Sequence, residues 1–245
     1  MTEAIVQRDD PPVPLLMPVL LSFVAGYLDS YTYLSLFAAQ VTGSFVIAGA
    51  EFVTSDFGIA GKLIAIAAFV TAAAVTAAFC IAAHDAQRGV LSWMLGLEAL
   101  LLAIFVGIMV FGPAVRDARD WHGIVAGVFA AMAMGAQSVV VRLLMKDIPQ
   151  TNVMTGNMTQ LGIAATELIM ARRRFDHSRH GDTAVHDFEH ARNRLVTVLA
   201  IAVGFLVGAA AGALAFATTR LHGALAAVAI VGALALWALA REERS

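Results

Sequence analysis

Asn152-Val153-Met154-Thr155-Gly156-Asn157-Met158 is a polar, glycine-containing stretch that lies between two apolar runs. In a membrane, backbone that leaves the helix loses its hydrogen-bond partners unless protein or a water-filled cavity supplies them. Glycine permits a sharp turn, and the side chain of Thr155 or Asn157 can cap the first amides of the helix that follows. The stretch therefore predicts a break between two pieces of membrane helix, although a capped helix start in an ordinary loop has the same pattern.

The composition around this stretch is that of an integral membrane protein. The chain has 245 residues, of which 60% are hydrophobic and 14% are charged, and its mean hydropathy is +0.79. Several uncharged runs approach the roughly 20 residues that a helix needs to cross a bilayer. We therefore expect an all-α protein in a lipid bilayer, with one transmembrane domain over residues 1–245.

The sequence also argues against several functional classes. A net charge of −2 leaves no basic surface for nucleic acid. Cys80 is the single cysteine, so neither a disulfide framework nor a cysteine-based metal site can form. Nucleophile elbows, phosphate-binding glycine loops and dinucleotide fingerprints are missing from the sequence. We therefore expect no cofactor, no bound metal and no enzymatic activity, and the sequence leaves open whether the protein forms homo-oligomers.

Apolar runs predict about six transmembrane helices. The first and third runs each contain a single charge, Asp29 and Glu98, whereas the second is free of charge and rich in alanine. Small residues let membrane helices pack closely, so the second run is expected to lie against a neighbour. The six runs cover residues 15–37, 63–83, 91–112, 123–144, 195–219 and 221–240.

The two halves of the chain repeat one order of features: a polar-marked span, a Thr-Gly motif, a small-residue span and a final span. An odd number of spans per copy predicts two inverted three-helix repeats, at about 15–112 and about 121–240, each with a broken or re-entrant element at its Thr-Gly. Gly26, Asp29 and Tyr33 have the spacing of Gly135, Ser138 and Arg142, and Thr42, Gly43 and Gly49 have the spacing of Thr155, Gly156 and Gly162.

The distribution of basic residues predicts the orientation of the chain. With both termini on one side, that side holds most of the basic residues, including the Arg172-Arg173-Arg174 triplet of a charged connector at about 172–194. The positive-inside rule then places both termini in the cytoplasm of a multi-pass cell-membrane protein. A full crossing by the short apolar helix expected at 158–171 would instead give seven spans. The opposite side holds only Lys62, Arg116, Arg119 and Arg220.

Several motifs in combination resemble a known family. Phe23-Val24-Ala25-Gly26-Tyr27-Leu28-Asp29, Gly135-Ala136-Gln137, Met154-Thr155-Gly156-Asn157 and the span with Glu98 are similar to the YoaK-like family of small bacterial integral membrane proteins, long carried as a domain of unknown function. The resemblance covers about residues 15–240 and implies a bacterial membrane location and a compact bundle of about six helices, but no substrate. The first motif reads Thr42-Gly43-Ser44 where that family usually has Thr-Gly-Asn.

Two carboxyl groups are the sharpest candidates for chemistry. A carboxylate in an apolar span costs about 2.5 to 3.5 kcal/mol on insertion scales, so Asp29 is expected to face the bundle interior. Tyr33 lies on the same helical face, where its hydroxyl can contact Asp29 or a ligand. We expect Asp29 or Glu98 to carry a coupling proton. The alternatives are a structural ion pair between Asp29 and Arg142, and an interfacial Glu98 that reaches water.

A further set of residues predicts a solute site. Arg142 and the amide end of the helix at Asn157 would form a positive pocket for an anionic group, unless Arg142 extends to the cytoplasmic surface. Gln137 and Asn152 are neutral candidate ligands. The predicted solute-binding residues are Asp29, Tyr33, Thr42, Gly43, Gln137, Arg142, Thr155, Gly156 and Asn157.

The function predicted from these features is secondary transport of an unknown small solute through a midplane site, with proton coupling as a hypothesis. The main alternative is a membrane scaffold that binds a partner through the charged connector, and a membrane enzyme acting on a lipid-like substrate comes third. Histidines in the connector lack a fixed metal motif, and a solvated connector has the same composition. They are His177, His180, His186 and His190.

Overall fold

The computed structural model describes residues 13–36, 41–54, 59–85, 90–113, 115, 120–145, 147–177 and 182–243. Within these ranges the regular structure is entirely helical, with eight α-helices and one 3₁₀ turn. They are α1 (Leu16–Leu36), α2 (Val41–Thr54), α3 (Ile59–Asp85), α4 (Leu91–Phe111), α5 (Trp121–Leu144), α6 (Met154–His177), α7 (Asp182–Thr219), the 3₁₀ turn Arg220–Ala224 and α8 (Leu225–Glu242).

Five helices in the described part of the chain are long and apolar enough to cross a membrane. Together they make the chain a multi-pass membrane protein. α1 has 21 residues and is not among the five, because Asp29 and the tyrosines near it lower its hydropathy. The five spans are Ile59–Ala83 in α3, Leu91–Phe111, Trp121–Leu144, Val185–Thr219 in α7, and His222–Glu242.

α1 and α7 make the most extensive helix contact in the structure. Gly208 on α7 lies against the carbonyl oxygen of Phe23, and one turn later Gly212 lies against that of Tyr27. A Cβ atom added at either glycine would lie closer than 3.0 Å to backbone atoms of α1. The two backbones therefore touch directly, as small residues allow in membrane helices.

α3 and α5 cross in the same manner. Gly135 on α5 lies against the carbonyl oxygen of Phe69 on α3, and Gly26 on α1 lies against that of Phe205 on α7. α4 packs against α5 and α8, α2 packs on α3, and α6 packs on α7. The bundle is thus built on two glycine-lined crossings, with α4 and α8 beside them.

Two clusters of buried apolar side chains form the core. The first core cluster includes Leu102 on α4 and Ala133 on α5, and the second includes Leu95 on α4 and Val140 on α5. α1 and α8 also contribute to both clusters. Residues that lie between the two clusters along these helices therefore share one level of the bundle.

The charged connector expected at about 172–194 is helical where the structure describes it, as the end of α6 and the beginning of α7. Phe175 stacks on Phe188 with ring centroids 5.7 Å apart. Arg194 Nη1 donates to Glu167 Oε1 at 2.8 Å. These contacts join the two helices beyond their apolar parts, so the charged residues that the structure describes lie on two paired helices. Within the described ranges no group of three His, Cys, Asp or Glu could hold a metal ion, and His180 lies outside those ranges.

Candidate functional site

The connection between α5 and α6 is irregular backbone that enters the bundle. α5 ends at Leu144 and α6 begins at Met154, so the helix starts four residues before the predicted 158. Asp147 adopts a φ of 59°, a left-handed conformation that aspartate tolerates better than most residues. Pro149 and Thr151 are buried. The described backbone between the two helices, residue 145 and residues 147–153, is therefore non-helical, whereas the Thr-Gly motif at which the break is predicted lies inside the first turn of α6.

Side chains of α1 and α5 hold this segment in place. Ser22 Oγ lies 3.0 Å from the Thr151 carbonyl oxygen and 2.8 Å from that of Ile201, so its hydroxyl donates to either one. Gln137 Nε2 donates to the Leu21 carbonyl at 2.7 Å. These bonds connect α1, α5, α7 and the irregular segment at one point.

Asn152 and Gln150 attach the segment to α5. Asn152 Nδ2 donates to Ser138 Oγ at 2.6 Å, and Ser138 Oγ donates to the Met134 carbonyl at 2.8 Å. The Gln150 amide, oriented by its hydrogen-bond network, donates to the Ser138 carbonyl and accepts from Arg142 Nε, both at 3.3 Å. The segment is therefore bonded along α5 over about two helical turns.

Asn157 ties α6 back to the segment. Its side chain is buried, and its Nδ2 donates to the Gln150 carbonyl at 2.6 Å. Contrary to the prediction from the sequence, Asn157 does not cap the beginning of α6. Because α6 begins at Met154, the backbone N–H of Asn157 already donates to the Val153 carbonyl at 3.2 Å. The Asn157 side chain acts instead as a hydrogen-bond donor. We call the polar residues that these side-chain and backbone bonds connect the polar cluster: Ser22, Gln137, Ser138, Gln150, Thr151, Asn152 and Asn157.

Glu98 on α4 lies at the level of the polar cluster. Its side chain is 0% exposed, and neither carboxyl oxygen has a hydrogen-bond partner among the described residues. Along α4, Glu98 falls between Leu95 of the second core cluster and Leu102 of the first. Gln137 holds the same intermediate position on α5, against which α4 packs. A buried carboxyl and a buried amide therefore share one layer.

Three further buried side-chain oxygens lack a hydrogen-bond partner within the described part of the chain. Gln137 Oε1 belongs to the residue that shares the layer of Glu98, and Thr151 Oγ1 and Asn152 Oδ1 lie on the segment that is bonded to α1 and α5. Buried polar atoms in folded proteins are nearly always paired, and an unpaired one costs about 1–3 kcal/mol. Such a concentration of open polar atoms on an otherwise well-bonded framework is what a ligand site requires. The polar cluster with Glu98 is therefore our candidate solute site.

The structure places some of the predicted solute-binding residues at this site. Gln137 and Asn157 belong to the polar cluster. Arg142 lies at its edge, exposed on the last turn of α5. Thr155 and Gly156 are exposed in the first turn of α6.

The other predicted residues lie elsewhere or outside the description. Asp29 is seven residues beyond Ser22 on α1, about 10 Å along the helix axis. Gly43 lies in the first turn of α2. The side chains of Tyr33 and Thr42 are outside what the structure describes. The roles assigned to these residues stay predictions.

The predicted solute-binding set did not include Ser22, Ser138, Gln150 and Thr151, and Asn152 was named only as a neutral candidate ligand. A signal for three of them exists in the sequence, because Pro149-Gln150-Thr151-Asn152 is a polar run directly before the Thr-Gly motif. Pro149 prevents the helix from continuing through it. This run lies a few residues before the Thr-Gly motif on which the predicted set is centred.

Comparison with known proteins identifies the family. A family model described as "Protein of unknown function (DUF1275)" matches residues 17–238. The chain belongs to the DUF1275 family. This membership is consistent with the YoaK-like resemblance of the sequence. No curated protein and no solved structure matches the chain. DUF1275 is described without a function, so the chemistry of the polar cluster is the remaining guide to what the protein does.

Replacing Asn157 by leucine should destabilise this DUF1275 protein by about 1–3 kcal/mol, because the Gln150 carbonyl would lose its donor inside the bundle. Denaturant titration of the detergent-solubilised protein measures the free energy of unfolding. Thr159→Leu is the matched control, since Thr159 is exposed two residues further along α6, and it should change stability by less than about 0.5 kcal/mol. Equal effects of both variants would contradict the assigned role.

Proposed function

We propose that this protein is a secondary transporter that moves a small polar solute through the polar cluster, coupled to the proton of Glu98. One observation carries the proposal. The Glu98 carboxyl is fully buried, without a hydrogen-bond partner among the described residues, on a helix apolar enough to span a membrane. Ionisable groups in such positions are expensive and typically belong to substrate or proton paths.

The chemistry of a buried carboxyl suits coupling. An ionised carboxylate without a partner is very unfavourable in an apolar interior, so Glu98 is neutral in the arrangement seen here. Entry of a solute that supplies hydrogen bonds or positive charge would stabilise the carboxylate and let the proton leave. A group that holds either a proton or a solute, but not both, links the movement of one to the other.

The irregular backbone of residue 145 and residues 147–153 supports a transport path. Non-helical backbone at membrane depth is tolerated where it is buried in protein or lines a water-filled cavity, and transporter sites are commonly built from discontinuous helices. Asn157 and Ser22 bond the carbonyls of Gln150 and Thr151. The side-chain oxygens of Thr151 and Asn152 are thereby left for a solute.

We extend the proposal to six spans in two inverted three-helix repeats, with α1–α4 and α5–α8 as the two halves. α1 would be the sixth span, because it packs against α7, α5 and α8 and its polar residues then face protein rather than lipid. In this arrangement α1 corresponds to α5, and α3 corresponds to α7. The α1–α7 crossing in the structure then corresponds to the α5–α3 crossing, which supports the proposed repeat. Gly26 lies at the α1–α7 crossing and Gly135 lies at the α3–α5 crossing. The two glycines have equivalent positions in the proposed repeats.

Ion pairs give the proposed repeats a second parallel. Lys62 Nζ lies 2.7 Å from Glu51 Oε1 and joins α3 to α2. Arg194 Nη1 lies 2.8 Å from Glu167 Oε1 and joins α7 to α6. In both halves, an acid on the second helix therefore bonds a base on the third. The cytoplasmic orientation of both termini remains part of the proposal and is supported by the exposed triplet Arg172-Arg173-Arg174 at the end of α6.

Proton flux in proteoliposomes tests the proposal. Vesicles loaded with a pH-sensitive dye are offered small amines, neutral amino acids and carboxylates, and accumulation is followed with and without a pH gradient. Glu98→Gln keeps the shape of the side chain but cannot exchange a proton. It should reduce gradient-driven accumulation at least tenfold while solute exchange at equal pH continues.

Two other carboxyl variants complete the test. Glu242→Gln changes a carboxyl that bonds Ser92 Oγ at 2.6 Å near the beginning of α4, and it should leave coupling intact. Asp29→Asn examines the other predicted proton carrier. Gradient-driven accumulation that is unchanged in Glu98→Gln would refute coupling through this residue, and loss in Asp29→Asn alone would move the role to α1.

A further inference from the structure

The open atoms of the candidate site have one chemical character. All five are oxygens: both carboxyl oxygens of Glu98, Gln137 Oε1, Thr151 Oγ1 and Asn152 Oδ1. The amide donors beside them are occupied, since Gln137 Nε2 bonds the Leu21 carbonyl and Asn152 Nδ2 bonds Ser138. The site therefore offers mainly acceptors, with donor hydrogens only on the Thr151 hydroxyl and on the Glu98 carboxyl while it is protonated. It gains one negative charge when Glu98 is ionised.

In the part of the chain that the structure describes, positive charge reaches this site only at its edge, where Arg142 bonds the side chain of Gln150. Among the described residues, Lys62 is the only buried basic side chain, and its Nζ bonds both carboxyl oxygens of Glu51 at 2.7 and 2.9 Å. Arg142 is exposed at the end of α5. An anionic solute in the layer of Glu98 and Gln137 would therefore face mainly acceptors, which is strongly unfavourable for a buried charge.

We infer that the polar cluster and Glu98 bind the ammonium group of a small amine. This inference rests on the proposed function, because it names the class of solute that the same site would carry. An ammonium group has three N–H donors, and three of the five open oxygens would satisfy them. Glu98 supplies the counter-charge, and a charge-assisted hydrogen bond to it is stronger than one between neutral groups.

The exchange of an ammonium ion for the Glu98 proton keeps the site electrically balanced. The neutral carboxyl and the carboxylate–ammonium pair both have zero net charge, so neither state leaves an uncompensated charge in the apolar interior. The open oxygens are fewer than the six or more that hard divalent cations collect. The three N–H donors of an ammonium group match this number of acceptors better than a divalent cation does.

Equilibrium binding of radiolabelled methylammonium to the full chain in detergent tests this inference, at constant ionic strength and with sodium and acetate as competitors. We expect methylammonium to bind the wild type and to be displaced by neither competitor. Glu98→Gln, which removes the charge, should weaken binding at least tenfold, whereas the matched control Glu242→Gln should bind as the wild type does. If Glu98→Gln does not fold, Thr151→Val removes one open oxygen at nearly constant volume and should weaken binding severalfold.

The outcomes separate this inference from the proposed function. No methylammonium binding to the folded wild type, equal binding by Glu98→Gln, or displacement by sodium or acetate would overturn the amine assignment. Binding without movement of methylammonium across vesicles would support the inference and contradict the transport function. Proton-driven uptake of a solute that lacks an ammonium group, with no amine binding, would support the transport function and contradict the amine assignment.

Discussion

Replacing Gly208 by alanine should destabilise the protein by about 3 kcal/mol, because the added methyl group would push α7 away from α1. Its Cβ would lie closer than 3.0 Å to the carbonyl oxygen of Phe23, and a backbone atom cannot step aside as a flexible side chain can. Overpacking of this kind typically costs about 1–3 kcal/mol and occasionally more. Thermal and denaturant unfolding in detergent would measure the loss.

Gly232→Ala is the matched control for the variant at Gly208. Gly232 lies on α8, and a Cβ there would meet nothing within 4 Å. Alanine is the better helix former by about 1 kcal/mol, so Gly232→Ala should leave stability unchanged or raise it. Similar losses in both variants would show that any added methyl group is harmful, and the close crossing of α1 and α7 would then not explain the effect.

The same crossing connects stability to the candidate site. α1 supplies the Ser22 hydroxyl that bonds the Thr151 or Ile201 carbonyl, and the Leu21 carbonyl that receives Gln137. Displacement of α1 by even part of an ångström would lengthen these bonds together. Uptake by Gly208→Ala should therefore fall within its folded fraction as well, which a comparison at equal amounts of folded protein would measure.

The positions of the long helices could be predicted from the sequence. Uncharged runs of bilayer length need no tertiary information, and the five membrane-spanning helices of the structure lie where apolar runs predict them. The ends of α6 and α7 could not be predicted in this way. Their charged residues have the composition of a solvated connector, and only the pairing of Phe175 with Phe188 and of Glu167 with Arg194 makes them two paired helices.

Part of the candidate site could also be predicted, for a related reason. A carboxyl or amide inside an apolar run is conspicuous, so Glu98, Gln137 and Asn157 could be predicted as candidates from the sequence. Ser22 and Thr151 were not found, because hydroxyl residues are ordinary in membrane helices. Their importance depends on a hydrogen bond between residues 129 positions apart in the chain, and no local pattern contains that information.

Both Thr-Gly motifs lie in the first turn of a helix and are followed by a buried polar residue. Each motif follows the first residue of its helix, Val41 in α2 and Met154 in α6. The polar residue after the glycine is buried in both, as Ser44 in α2 and Asn157 in α6. The difference between Ser44 and the usual asparagine therefore leaves a buried polar side chain in the same place, although serine is shorter and has one hydroxyl where asparagine has two N–H donors.

Replacing Glu98 by methionine should stabilise the folded protein by about 1–3 kcal/mol and abolish proton-coupled uptake. The carboxyl oxygens are buried without partners among the described residues, and unsatisfied polar groups carry a penalty of this size. Methionine is flexible and apolar, so it fills the same space without polar atoms. Stability gained at the expense of activity is the behaviour expected of a functional residue.

The opposite result would assign Glu98 to the architecture. If the carboxyl sets the register of α4 against α5, Glu98→Met should lower the free energy of unfolding, and any uptake would fall only in proportion to the folded fraction. Glu242→Met is the comparison, since Glu242 bonds the Ser92 amide at 3.2 Å and its hydroxyl at 2.6 Å and should lose stability when replaced. If Glu98→Met is more stable than the wild type but inactive, and Glu242→Met is less stable but active, Glu98 is a coupling carboxyl and Glu242 is a structural one.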